Sequence, residues 1–134
     1  MGKKYLLDTH CLIWFQDSTP KIPFHILEKI KNPINEIFFS LINLLEIAIK
    51  LKTGKRISGK ATVIEIYHQA FKDDFTFIPI SNQHIYSYQR IPLLEEHRDP
   101  FDRLLVATAY EEDLIILSND EKFLLYPEIV KCLW

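Results

Sequence analysis

The chain contains little glycine and little cysteine. Of its 134 residues, 3 are glycine and 2 are cysteine, whereas 48% are hydrophobic. This balance favours a compact globular protein, and the length suits one domain, which we expect to span residues 1–134. The two cysteines, Cys11 and Cys132, form neither a disulfide framework nor a zinc-binding spacing. We therefore expect reduced thiols in a cytoplasmic protein.

Long apolar runs are also missing, and neither sign of charge dominates. No stretch approaches the ~20 apolar residues that cross a membrane, so we expect no membrane partner. Asp8 and His10 interrupt the apolar residues near the start, and no small-residue cleavage site follows, which argues against a signal peptide. The formal net charge is −2. Nucleic-acid binding would therefore have to depend on a local basic patch or on bound cations.

Short apolar segments alternate with helical patterns along the chain. This alternation predicts a parallel sheet covered by helices on both faces. Each strand except the last is followed by a helix, and the last strand is expected at an edge. We predict strands over residues 5–7, 37–40, 75–80, 114–117 and 129–130, and helices over residues 12–15, 23–31, 42–52, 61–72, 81–89, from 100 onwards and 121–126.

The segment HRDPFDRLLVATAY, residues 97–110, predicts a buried helix that carries a carboxylate. Asp99 suits the N-cap, and Pro100 suits the first helical position, where a missing N–H costs nothing. Asp102 shares an apolar stripe with Val106 and Ala109 at the i, i+4, i+7 spacing. A carboxylate on a buried stripe must be paired, protonated or bound to a cation. The alternative is an ordinary helix start, with Asp102 near the positive end of the helix dipole and an arginine beside it.

Three further acids occupy similar settings. Asp8 follows the first strand and Asp120 follows the fourth, while Glu46 lies among apolar residues on the helix that follows the second strand. Each has an alternative interpretation. Asp120 could be only a helix N-cap, and Glu46 could be an exposed partner of Lys50 at the i, i+4 spacing.

The carboxyl ends of parallel strands meet at one edge of the sheet, where ligands bind at the topological switch point. All four acids can converge there, but clustered carboxylates repel one another unless a cation neutralises them. Oxygen ligands without histidine or cysteine indicate Mg²⁺, or Mn²⁺ in its place, and such an ion can activate water for attack on a phosphodiester. We expect Asp8 and Asp102 to bind the metal directly. Glu46 and Asp120 would bind it, hold its water or act as a base.

Basic residues cluster in a loop after the third helix. Lys50 and Lys52 precede the segment TGKRISGK, residues 53–60, which contains no acid. Any single lysine here is best interpreted as solvated, but the cluster is the best local candidate for phosphate binding. Trp14 is interpreted as a core residue rather than a platform for base stacking, and His10 as a structural residue.

Four motifs together are similar to a known family. They are YLLDTH at the start, S-x5-E-I-A-I-K from Ser40 to Lys50 with Gly54-Lys55 following, HRDPFDRLL from His97, and S-x-D from Ser118 to Asp120. In this order and spacing they resemble the PIN-domain family, specifically the VapC-like toxins of type II toxin–antitoxin systems. The resemblance covers nearly the whole chain.

The resemblance implies a fold, an activity and partners. The fold would be three-layer α/β/α with a central, mostly parallel sheet of roughly five strands. The activity would be that of a Mg²⁺-dependent endoribonuclease that inhibits translation, with Mn²⁺ as a possible substitute. The protein would act on RNA, form a homodimer and be neutralised by a cognate antitoxin.

The resemblance also implies roles for particular residues. The family's acidic quartet corresponds to Asp8, Glu46, Asp102 and Asp120, which would be catalytic. Further positions would support these carboxylates or contact substrate: Thr9, Ser40, Lys50, Asp99, Arg103 and Ser118.

Three other classes of protein share part of this pattern. A phosphatase of the haloacid dehalogenase type needs a second aspartate two residues after the first, where this chain has His10. A phospho-accepting receiver needs an acidic pair on its first strand, where Asp8 stands alone. A catalytically inactive PIN-fold scaffold that acts through protein–protein interaction is the main alternative, and the presence of all four acids argues against it.

Overall fold

A five-stranded parallel sheet lies at the centre of the protein, which we describe for residues 2–55 and 61–134 from a computed structural model. Every neighbouring pair of strands is parallel. The strands are β1 (Lys4–Leu7), β2 (Glu36–Ser40), β3 (Thr76–Ile78), β4 (Ile115–Leu117) and β5 (Cys132–Leu133). The helices are α1 (Thr9–Gln16), α2 (Phe24–Lys31), α3 (Leu41–Lys52), α4 (Val63–Lys72), α5 (Asn82–Arg90), α6 (Pro100–Glu112) and a 3₁₀ helix (Glu121–Leu125).

Both faces of the sheet are buried, which gives three layers. Tyr5 and Leu7 of β1 pack into one core with α1, α2, α3 and α4, whereas Leu6 packs into the other core with α6. Because successive side chains of a strand point to opposite faces, a strand buried on both sides must be continuously apolar. This explains why β1 consists of a run of apolar residues rather than an alternating pattern. The predicted three-layer α/β/α architecture is confirmed.

The order of the strands creates a switch point beside β1. The strands lie in the order β3-β2-β1-β4-β5. The chain therefore adds β2 and β3 on one side of β1 and then returns to add β4 and β5 on the other side of β1. The connections that leave the carboxyl ends of β1 and β4 diverge there, which opens a crevice. Asp8 follows β1 and Ser118 follows β4, and both therefore lie at this crevice.

The last strand differs from the predicted one. Residues 129–130 were predicted as a strand, but the backbone N–H groups of Ile129 and Val130 donate to the carbonyl of Tyr126 and so form a turn. The strand is formed instead by Cys132 and Leu133, which pair with β4. Two residues are too few to produce a recognisable strand pattern in the sequence.

Part of the predicted basic loop is outside the described residues, namely 56–60. Lys50, Lys52 and Lys55 are described, and Gly54 adopts a left-handed φ of 80° just beyond α3. No helix in the described part of the chain has the length and apolar character that a bilayer span requires.

Candidate active site

Asp8 is tied to the strand on the other side of the crevice. It lies at the end of β1, and its backbone N–H donates to the carbonyl of Leu117 in β4 at 3.1 Å. Its carboxylate is buried and accepts a 2.5 Å hydrogen bond from the Ser118 hydroxyl. The same hydroxyl accepts from the backbone N–H of Asp120 at 3.0 Å. Ser118 therefore links two of the four predicted acids.

Glu46 reaches the same edge from α3. Its Oε1 accepts a 2.8 Å hydrogen bond from the hydroxyl of Thr9, the residue after Asp8. The side-chain amide of Asn43, one helical turn earlier, donates to Thr9 Oγ1 at 3.0 Å and to the carbonyl of Leu7 at 3.2 Å. Asn43 thus fixes the end of β1 against α3, and Thr9 holds Glu46 beside Asp8.

Asp102 approaches from the first turn of α6. Its Oδ2 accepts a hydrogen bond from Nε2 of His97 at 3.2 Å, and the His97 ring is fully buried. The other ring nitrogen, Nδ1, lies 2.7 Å from the hydroxyl of Tyr126. When the imidazole is neutral and its Nε2 donates to the Asp102 carboxylate, its Nδ1 accepts from the Tyr126 hydroxyl.

The remaining predicted residues have different surroundings. Asp99 is exposed and caps α6 through the backbone N–H groups of Phe101 and Asp102, as predicted. Arg103 is buried and donates to the carbonyls of Ile91 and Pro92, so it braces the segment before α6 rather than contacting a carboxylate.

Ser40 and Lys50 lie at the two ends of α3. Ser40 is fully buried and caps the helix, and its own N–H donates to Asn43 at 2.7 Å. Lys50 lies one turn beyond Glu46, but the described residues show no ion pair between them. The alternative interpretation of Glu46 as an exposed partner of Lys50 is therefore wrong, since Glu46 is half-buried and bonded to Thr9.

The electrostatic environment disfavours ionisation of three of the acids. Burial raises the pKa of Asp8, and the nearby charge of Asp120 raises it further, although the hydrogen bond from Ser118 opposes the shift. Burial also raises the pKa of Glu46 to about 7, with additional repulsion from Asp102 and Asp8.

Asp102 is affected in the same way. Burial raises its pKa to about 6, the hydrogen bond from His97 lowers it, and Asp99 and Asp8 raise it. The described residues include no lysine or arginine within salt-bridge distance of any of these carboxylates. Among the described residues, no lysine or arginine therefore balances the negative charge that these carboxylates carry when ionised.

The donor set fits a hard divalent cation in its chemistry. Buried carboxylate oxygens without a cationic partner are the ligands that Mg²⁺ and Mn²⁺ select. The positions of these side chains fit an ion less well than their chemistry does. Within residues 2–55 and 61–134, no three His, Cys, Asp or Glu side chains converge tightly enough to hold an ion as they stand. Three carboxylates are instead turned towards separate donors, Ser118, Thr9 and His97.

Sequence reasoning missed two residues of this site. Asn43 makes three hydrogen bonds at zero exposure, and His97, identified from the sequence only as the first residue of a motif, contacts Asp102. A signal for Asn43 was present, because it stands three residues after Ser40, at the spacing of a capping box. Asp102 is only five residues from His97, but no local signal marked the orientation of the ring, because Tyr126, which contacts its other nitrogen, is 29 residues away.

Cavity size alone would select a different place. A cleft of about 590 Å³ lies between the end of α2 and the start of β2, at the opposite edge of the sheet from the acids. The carboxyl edge is favoured because ligands of parallel α/β sheets bind at the switch point, and the buried acids are there.

Similar folds occur in several solved structures. A chain of the DNA-bound VapBC structure from Salmonella typhimurium is 20% identical, with a TM-score of 0.67, and the match covers 99% of this chain and 98% of that chain. A chain of VapBC2 from Rickettsia felis, bound to a promoter DNA fragment, is 17% identical with a TM-score of 0.62, covering 97% of each chain.

A third similar structure is VapBC-5 from Mycobacterium tuberculosis, a member of the VapBC family of toxin–antitoxin systems. It is 16% identical with a TM-score of 0.57, and the match covers 97% of this chain and 95% of that chain. At these identities the likeness concerns the fold. No curated protein matches the chain significantly. The PIN domain family model, however, matches residues 5–129. The chain therefore belongs to the PIN domain family.

Proposed function

We propose that the protein is the toxin of a type II toxin–antitoxin pair, a divalent-metal-dependent endoribonuclease that inhibits translation. The observation that carries this proposal is the gathering of Asp8, Glu46, Asp102 and Asp120 at the switch point, with raised pKa values for the first three and no balancing cation among the described residues. Membership of the PIN domain family supports nuclease chemistry at this site.

Each residue would have a distinct task. Asp8 and Asp102 would hold Mg²⁺ directly. Glu46 and Asp120 would bind it either directly by a carboxylate oxygen or by a hydrogen bond to one of its water molecules. When bound, the ion would polarise a phosphodiester and lower the pKa of a water molecule for in-line attack. Ser118 and Thr9 orient the carboxylates of Asp8 and Glu46 by hydrogen bonds.

The remaining residues keep this arrangement in place. His97 orients Asp102, and the Asp99 cap sets the first turn of α6 from which Asp102 projects. Glu46 would accept a proton from the attacking water, and its raised pKa, about 7, supports this role near neutral pH.

The partners follow from the similar structures. Two of them are VapBC assemblies bound to DNA, and another is named as part of a toxin–antitoxin system. By analogy, this chain would be neutralised by a small antitoxin. We further propose that it forms a homodimer in the cytoplasm. A reading frame for a small protein directly upstream of its gene would support this part of the proposal.

The test is cleavage of RNA by the purified chain, with and without Mg²⁺, followed by sequencing of the new RNA ends. We expect cleavage that EDTA abolishes and that Mn²⁺ restores. Asp8→Asn and Asp102→Asn should each abolish cleavage and growth inhibition while circular dichroism stays unchanged. Lys3→Ala, at the opposite edge of the sheet, is the matched control and should cleave normally. Full cleavage by Asp102→Asn would refute the site.

A catalytically inactive PIN scaffold remains the second candidate. The observation that favours it is that no three potential ligands of the described residues are positioned to hold an ion. Titration of the purified protein with Mn²⁺ separates the two candidates. Saturable binding that Asp8→Asn weakens favours the nuclease, and heat no larger than that of dilution favours the scaffold.

A further inference from the structure

A second cavity, of about 490 Å³, opens beside the candidate active site between α1 and the C-terminal end of α3. We call it the lysine–tryptophan pocket, defined by Trp14, Lys21, Lys50 and Lys55. Two of its lining residues lie near the acids. His10, which also lines it, is close enough to Asp8 to interact with its charge, and Lys50 lies one turn beyond Glu46 on α3.

The end of α3 brings two lysines to this pocket. The N–H of Lys55 donates to the carbonyl of Lys50 at 2.9 Å, and the N–H of Gly54 donates to that of Leu51 at 3.2 Å. This is a Schellman ending, which needs the left-handed φ of 80° that glycine adopts without strain. The turn folds the chain back, so that Lys50 and Lys55 line one cavity although they are five residues apart.

The pocket is positively charged. Lys21, Lys50 and Lys55 line it together with one acid, Asp17. No described carboxylate lies within 4.0 Å of any of these three ammonium groups. Because the chain as a whole has a net charge of −2, this is a local patch, and it adjoins a strongly acidic one.

Aromatic rings form one wall. The rings of His10 and Trp14 lie 5.6 Å apart at an interplanar angle of 33°, and Lys21 Nζ lies 5.3 Å from the Trp14 centroid. His10 is exposed, so a planar group can stack on the His10–Trp14 ring pair from the solvent side. A cationic groove beside aromatic rings is the usual arrangement for binding single-stranded nucleic acid, because bases stack on the rings while lysines contact the phosphates.

We propose that the lysine–tryptophan pocket binds one unpaired nucleotide of the RNA, next to the phosphodiester at the carboxylates. Its base stacks against His10 and Trp14, while Lys21, Lys50 and Lys55 each contact a different phosphate, namely the phosphate of this nucleotide and the two neighbouring ones. The proposal rests on the proposed function in that it takes RNA as the substrate. It adds that the substrate is single-stranded, since a paired base cannot reach the rings. It also revises the interpretation of Trp14 as a core residue only.

The test measures binding without cleavage. The chain contains 2 tryptophans, and the ring centroids of Trp134 and Trp14 lie 5.9 Å apart. The Trp134→Phe variant therefore leaves Trp14 as the only tryptophan whose fluorescence reports binding. In EDTA, a short single-stranded oligoribonucleotide should quench Trp14 fluorescence saturably. The same sequence in a duplex should quench it at least about 10-fold more weakly.

The lysines are tested through the salt dependence of this binding. Lys21→Ala, Lys50→Ala and Lys55→Ala should each lower the slope of log K against log salt by about 0.7, which is one phosphate contact. His10→Ala should weaken binding about 10-fold without changing the slope, because it removes stacking. Lys3→Ala removes the same charge at the far edge of the sheet and should change the slope by less than half as much.

Two results would overturn the proposal. One is that the three lysine variants behave like Lys3→Ala. The other is that a Glu-rich peptide quenches Trp14 while the oligoribonucleotide does not, which would make the pocket a protein-binding site. These results are distinguishable from failure of the proposed function, because the binding assay needs no metal.

Discussion

His97 and Asp102 lie five residues apart, yet the imidazole of His97 is held in the core and points its Nε2 at Asp102 Oδ2 over 3.2 Å. The ring is fixed from behind by Tyr126, whose hydroxyl lies 2.7 Å from Nδ1. A carboxylate on the first turn of a helix would otherwise rotate among several χ1 wells. The Tyr126–His97 pair restricts that choice.

The first prediction concerns this pair. His97→Ala should weaken binding of Mn²⁺ by about 10-fold or more, because loss of the group that orients a ligating carboxylate typically has that effect. Isothermal titration calorimetry measures it. Tyr126→Phe, which removes one hydroxyl and keeps the ring, should weaken binding less. If His97→Ala lowers the melting temperature but leaves metal affinity unchanged, His97 is structural only.

The second prediction is a pH dependence of stability in the metal-free protein. Glu46 has a pKa of about 7 in the folded state against an ordinary 4.5, so the folded state holds a proton that the unfolded state releases in that window. Asp102, whose pKa is raised from 3.8 to about 6, likewise keeps a proton in the folded state between these pH values. The free energy of unfolding should therefore fall as pH rises from about 4 to about 7. Urea unfolding in EDTA at several pH values measures this.

The third prediction follows from the same charges. Glu46→Gln should stabilise the metal-free protein at pH 8 by ~1–2 kcal/mol after allowing for solvent screening, because it removes the cost of a buried negative charge. The gain should vanish near pH 4, where the carboxyl is protonated in both states. Glu65→Gln, at an exposed glutamate of α4, is the control and should show no such pH-dependent gain. Equal effects of the two substitutions would mean that Glu46 carries no special charge penalty.

Mg²⁺ provides an independent check on this third prediction. A bound cation favours the ionised carboxylates, so Mg²⁺ should raise the melting temperature of the wild-type protein at pH 8. The increase should be smaller in Asp102→Asn. No Mg²⁺-dependent increase in the wild-type protein would argue against the metal site.

The fourth prediction concerns Asn43. Asn43→Ala should cost about 2–4 kcal/mol of stability, because it leaves the buried N–H of Ser40 and carbonyl of Leu7 without their partner. It should also reduce cleavage, since Thr9 and Glu46 lose their support. Chemical denaturation measures the first effect. Gln69→Ala, which removes an exposed hydrogen bond to Asp73, should cost less than about 0.5 kcal/mol. Similar losses for the two variants would contradict this role of Asn43.

Much of the fold followed from local patterns. The run Tyr5-Leu6-Leu7 predicted a strand buried on both faces, and the sheet places these residues in its two cores. Asp99 and Pro100 predicted the start of α6, which begins at Pro100. These features are local, because a cap or a buried strand is encoded within a few neighbouring residues. The two-residue strand at Cys132 has no such signal and exists only because β4 offers it a partner.

The candidate site was predictable only in part. Its acids were identified because each stands at the end of a strand or on an apolar helix. Their support was not, because Thr9 and Glu46 are 37 residues apart and Asp8 and Ser118 are 110 apart. The lysine–tryptophan pocket likewise depends on the packing of α1 beside α3, which the hydrophobic periodicity of the sequence does not predict.

The amino-acid sequence by itself determined the order of strands and helices, the identity of the four candidate carboxylates and the resemblance of the chain to the PIN-domain family. Only the tertiary structure decided which donor each carboxylate faces, how buried it is and which lysines lie beside it. Periodicity and capping act between residues a few positions apart, where the sequence can be interpreted directly. Burial, pKa shifts and hydrogen bonds across the sheet depend on distances that exist only after the chain has folded.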